Sequence, residues 1–95
     1  MHPIRADEEE IRGAHTVEAG RVVADDVCLR IGWLVANALE QLAYGKKGGA
    51  WETSFRDLDD GRLWERTFPQ GHLHGGGPPM LRTVAEMDAR SRYDF

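Results

Sequence analysis

The groups in this chain whose chemistry could be put to work lie mostly between residues 54 and 77. His72-Leu73-His74 sets two imidazoles two positions apart, close enough to share a divalent metal if the segment is extended. A catalytic zinc takes three protein ligands and a second shell that orients them, and no third ligand stands at recognisable spacing. The two histidines are therefore read as polar loop residues, with no metal expected. Asp57, Asp59 and Asp60 crowd one turn, which makes a carboxylate pair for acid–base work geometrically possible. Turn capping accounts for them more simply, because Asp tolerates turn conformations and bonds its own backbone. Ser54, Ser91 and Cys28 occur in no recognisable nucleophile motif, and Cys28 is expected to be a small buried hydrophobe in a helix. Gly75, Gly76 and Gly77 do not make a phosphate loop: the run is followed by Pro78-Pro79, which removes two backbone donors where such a loop needs Lys and Ser or Thr. No catalytic residue and no cofactor is assigned. An enzyme reading would have to rest on His72, His74 and the Asp57 to Asp60 carboxylates.

These residues sit on a recognisable scaffold. Trp51 and Phe55 stand at alternating spacing before Asp59-Asp60-Gly61, and Trp64 and Phe68 resume the pattern after it, the signature of a β-hairpin. If Asp57 pairs with Arg62, then Phe55 faces Trp64, Thr53 faces Arg66 and Trp51 faces Phe68, which places four aromatics on one face. The other face, where Ser54 opposes Glu65, reads as wet. Residues 11 to 23 suggest two short strands broken at Glu18-Ala19-Gly20. Asp25 and Asp26 stand where a helix N-cap belongs, and apolar residues at helical spacing predict one long central helix from Asp26 to Tyr44, stopped by Gly45. The three glycines should include a positive φ, and the prolines should feed a strand over Met80 to Ala85, followed by a short helix over Glu86 to Tyr93. The order β-β-α-β-β-β-α predicts an α+β fold: a mostly antiparallel sheet of four or five strands, with the long helix packed on its apolar face.

At 95 residues the chain fits one domain, read as residues 1–95 with an acidic, mobile start over residues 1–10. A hydrophobic content of 41% with 29% charged residues is that of an ordinary globular protein, not of a disordered segment. The start lacks the apolar run of a signal peptide, and no stretch approaches a membrane span, so a cytoplasmic protein is expected. One cysteine permits no internal disulfide. The net charge of −4, with scattered Lys and Arg, argues against nucleic acid as a direct ligand, and the acidic clusters Asp7 to Glu10 and Asp57 to Asp60 read as solvated segments or, alternatively, as an acidic surface for a basic partner.

The chain carries an ordered set of short motifs: Val22-Val23-Ala24-Asp25, the helix with Cys28, Arg30, Ile31, Trp33 and Leu34, then Gly49-Ala50-Trp51-Glu52, Arg56-Asp57, Asp60-Gly61-Arg62, Trp64-Glu65 and Gly75-Gly76-Gly77-Pro78-Pro79-Met80-Leu81. This set resembles the immunity protein 27 family. The likeness covers about residues 11 to 93, with one departure near Ala14-His15, where a bulky apolar residue is expected. The resemblance implies a small bacterial protein of a polymorphic toxin system that neutralises a cognate toxin by binding, with no catalytic site to carry over. A stoichiometric inhibitor needs a contact surface. The densest single-sign patches are Asp57, Asp59 and Asp60, followed by Glu8, Glu9 and Glu10, both suited to a basic groove such as a nuclease carries. The loop bearing His72, His74, Gly75, Gly76 and Gly77 is a third candidate, as a shaped rim. A structural or regulatory interaction module is the remaining alternative.

Overall fold

The turn over residues 57–62 sets the register of the main sheet. In the computed structural model, which describes residues 1–69 and 77–95, Asp57 Oδ1 accepts the Asp59 amide at 2.8 Å and Asp57 O accepts the Gly61 amide at 2.9 Å. Gly61 turns the chain at φ 77°, and the Asp57 amide closes the turn on Arg62 O at 2.9 Å. Phe55 then lies opposite Trp64, Ser54 opposite Glu65 and Thr53 opposite Arg66, as the alternation predicts. Beyond the paired residues, Trp51 and Phe68 meet edge-to-face with ring centroids 5.1 Å apart.

The elements are β1 (Glu10–Arg12), β2 (His15–Glu18), β3 (Arg21–Ala24), α1 (Asp26–Asn37), β4 (Leu39–Gly45), β5 (Gly49–Asp57), β6 (Leu63–Thr67), β7 (Met80–Thr83) and α2 (Glu86–Arg92). Five strands form an antiparallel sheet in the order β1-β7-β6-β5-β4, so the aromatic hairpin occupies its centre. Strands β2 and β3 pair separately around Ala19 and Gly20, both at positive φ. The α+β class stands.

The expected long helix is shorter than predicted. Asp25 caps it, accepting the Cys28 amide at 2.8 Å, but it ends at Asn37, and Leu39–Gly45 is an edge strand instead of two further turns. Helical spacing from Leu39 to Tyr44 was a real local signal. It lost to strand pairing, since β5 carries a row of backbone donors and acceptors on that side that only another strand can satisfy. The strand β1 is likewise additional to the two predicted before the helix, and it closes the far edge against β7.

Twelve residues give α1 a length of about 18 Å. It crosses the sheet diagonally, because its two ends are tied at opposite corners. At the start, Asp25 N donates to Ala14 O and Gly13 N to Pro79 O; at the end, Leu58 N donates to Ala38 O. Ile31 and Leu34 pack beneath it against Ile11, Leu39, Phe55, Trp64 and Leu81, the main core. The side of the sheet expected to be wet is covered as well. Leu63, Ala89 and Tyr93 form a second core there, and Ser54 and Glu65 are fully buried. Polar residue types suggested solvent; what decided the matter was α2, which folds back over that face.

Close backbone approach at the start of α1 requires Gly13. A Cβ at this position would lie 2.6 Å from Cys28 Sγ and 2.9 Å from Pro79 O. Gly13→Ala is therefore expected to cost about 1–3 kcal/mol, as overpacking does, read as a lowered denaturant midpoint at unchanged slope.

Candidate partner-binding surfaces

The acidic turn divides into structural and available carboxylates. Asp57 is buried and spent on the turn. Asp60 accepts the Arg62 amide at 2.9 Å and the Arg62 guanidinium at 2.6 Å, and these bonds hold its carboxyl below the ordinary range. Asp59 is exposed, and among the described residues its carboxylate accepts from none.

The N-terminal acidic run divides in the same way. Arg30 grips Glu8 with two hydrogen bonds of 2.7 and 2.8 Å, and the Arg5 amide adds a third at 2.8 Å. Glu8 is thus an internal anchor, its pKa lowered to about 2 chiefly by Arg30. Glu10 lies 3.7 Å from Arg12 at the surface, whereas Glu9 is exposed and contributes its carbonyl to Thr83 N at 2.9 Å.

The fold brings the two acidic runs together. The Arg62 guanidinium donates to Glu8 O at 2.7 Å and to Arg5 O at 3.1 Å while also holding Asp60. Asp59 and Glu9 therefore flank one seam, with Asp7 exposed nearby in sequence. Nothing in their linear spacing, some fifty residues, announces this.

His72, His74, Gly75 and Gly76 lie outside the described residues. Gly77 has φ 72° and is buried, so its left-handed backbone serves the entry into β7. Among the described residues no three His, Cys, Asp or Glu side chains converge as metal ligands. The Cys28 thiol donates to Ala14 O at 3.3 Å, and burial pushes its pKa up, the opposite of an activated nucleophile.

A different surface escaped the sequence reading. Of the four hairpin aromatics, Phe55 and Trp64 are fully buried in the core under α1, whereas Trp51, edge-to-face on Phe68, is 55% exposed, and Tyr44, beside Thr53 on β4, is 54% exposed. No local signal separates them from the buried pair, because which corners of the sheet α1 covers depends on where its two ends are tied.

Fold and surface together define a small α+β protein that presents an acidic seam and an aromatic corner to solvent. The model of the immunity protein 27 family matches residues 17–85, most of the sequence, and the chain belongs to that family. Membership carries an immunity role and, with it, the binding of a cognate toxin. No curated protein and no solved structure matches the chain. Among the described residues no helix is long and apolar enough to cross a membrane.

Proposed function

We propose that this protein protects a bacterial cell by binding a cognate polymorphic toxin in the cytoplasm and occluding it stoichiometrically, without catalysis. Family membership is the observation that carries this reading. The acidic seam supports it: exposed Asp59 and Glu9, in a chain of net charge −4, would steer encounter with a basic groove of the kind a nuclease needs to hold its substrate. A nuclease is thus the toxin class the seam fits. Co-expression with the toxin domain encoded beside the gene should rescue growth, and the purified pair should form a complex of fixed stoichiometry. Full protection by amounts far below one molecule per toxin would point to catalysis and sink this reading.

The seam itself is tested at Asp59, whose side chain holds no part of the turn together. Asp59→Lys should fold normally, slow association about tenfold and flatten its dependence on salt, as measured by stopped-flow mixing over a salt series. A wild-type rate and salt slope in the folded variant would reduce the seam to a solvated hairpin tip.

A further inference from the structure

The diagonal course of α1 leaves two corners of its sheet face uncovered. One, beside Arg62, is filled by the N-terminal segment, which Arg62 and Arg30 hold in place and whose Ile4 packs on the core. The other is built by the C-terminal end of β4, the start of β5 and the end of β6. Across it runs the row Tyr44, Thr53, Arg66, with Trp51 and Phe68 beyond.

Arg66 is the unusual member of this row. Its guanidinium lies 5.6 Å from the Phe55 ring centroid and 5.7 Å from that of Phe68, and its hydrogen bond to Thr53 Oγ1 is long at 3.5 Å. Among the described residues its buried Nε has no acceptor. Arg5, Arg12, Arg30, Arg62, Arg82, Arg90 and Arg92 each pair with a carboxylate; among the described residues Arg21, Arg56 and Arg66 pair with none, and of these three Arg66 is the one that lies against aromatic rings, while residues 70–76 contain no Asp or Glu to supply a partner. Burial depresses its pKa, the mark of a cation held partly out of water without compensation. Two half-exposed aromatics border it: Tyr44 in the same row, and Trp51 edge-to-face on Phe68. A guanidinium without a counter-charge, bordered by aromatic rings, is the composition of a binding hot spot, and the group that completes it is a planar carboxylate.

We infer that the corner formed by Tyr44, Trp51, Arg66 and Phe68 is the anchor of the toxin interface, and that it receives an Asp or Glu side chain projecting from the toxin, with Trp51 and Tyr44 packing around it. This inference rests on the proposed immunity function and names the surface that carries its affinity. It assigns the seam and the corner different duties. The seam, at the turn end of the β5–β6 hairpin, governs how fast the partners meet; the corner, at the open end, governs how slowly they part.

The test is calorimetry and dissociation kinetics with the toxin domain encoded beside the gene, carrying an inactivating substitution. Arg66→Gln and Trp51→Ala should each weaken binding at least about 30-fold, through faster dissociation and with little change in association rate. Arg66→Lys, which keeps the charge and loses the fork, should recover only part of the loss. Trp51 is half exposed, so its variant should melt as wild type does, and this keeps the test open if Arg66→Gln folds poorly. Wild-type affinity in folded Trp51→Ala and Arg66→Lys would overturn the corner while leaving the immunity function standing. Failure of the unaltered protein to bind would overturn both. A dimer of this chain that Trp51→Ala dissolves would assign the corner to self-association and overturn the inference too.

Discussion

Truncating Trp64 to alanine is expected to remove about 3–5 kcal/mol of stability, a large share of the roughly 5–10 kcal/mol a domain of this size possesses. Trp64 sits on the central strand with no exposed surface, packed with Phe55, Leu81, Ile31 and Leu34 between sheet and α1. Removing its ring opens a cavity in the one place where no neighbour can relax inward without dragging a strand or the helix. Among the described residues its buried Nε1 has no acceptor, so the indole contributes packing without a hydrogen bond. Trp64→Phe should therefore cost clearly less than Trp64→Ala. Urea denaturation of both variants is the check, and equal losses would show that the indole edge matters in a way its surroundings do not reveal.

The second large effect is expected at Glu65, on the opposite face. Its carboxylate is wholly buried and accepts from Arg82 Nε at 2.6 Å, from Tyr93 Oη at 2.8 Å and from Arg92 Nη1 at 3.1 Å. Burial alone would raise its pKa; hydrogen bonds from Arg82 and Tyr93, aided by the Arg82 and Arg92 charges, bring it below the ordinary value of 4.5. These contacts pin α2 and the C-terminal residues to the sheet. Glu65→Ala should cost about 3 kcal/mol, since it strands the buried Tyr93 hydroxyl and leaves two arginines without their counter-charge. The full penalty of a buried broken pair is not expected, because Arg82 and Arg92 are 47% and 37% exposed and can turn to water.

The same network sets the pH range of stability. A carboxylate whose pKa is lowered by folding stabilises above its unfolded pKa and loses that contribution as pH falls through the folded value. Glu8 and Glu65 both belong to this class, so stability should decline as pH drops below about 4.5, with the Glu8 part persisting until pH nears 2. Tyr93 is shifted upward, first by burial and then by its bond to Glu65, so its contribution is present below pH 10.0 and is lost at higher pH. Midpoints measured across pH should fall at both ends, and Glu65→Ala should blunt both limbs at once.

Much of this was legible from residues alone. The hairpin register followed from one turn and one assumed pair, because side chains alternate along a strand and a pairing once fixed propagates without freedom. The Asp25 cap, the turn at Ala19-Gly20, the positive φ at Gly77 and the short final helix were equally local, each a matter of a few neighbouring residues choosing a backbone conformation. The family motifs were legible too, since they are strings of residues, and the family match confirms them.

What only the tertiary structure decided is everything that depends on residues far apart in the chain. Leu39–Gly45 has helical spacing but becomes a strand because β5 offers it hydrogen bonds that solvent would otherwise have to make. The diagonal course of α1, tied at Ala14 and at Leu58, leaves the aromatic corner bare. Ser54 and Glu65 look exposed by type and are buried because α2 folds back and supplies Arg92 and Tyr93 to meet the charge. Glu8 looks like one of three equivalent acids but is the one that meets Arg30, twenty-two residues on, while Arg62 joins the two acidic runs across fifty-four. Local conformational preference is written residue by residue. Whether a polar group ends buried and paired, or exposed and available to a partner, depends on which distant element arrives to cover it.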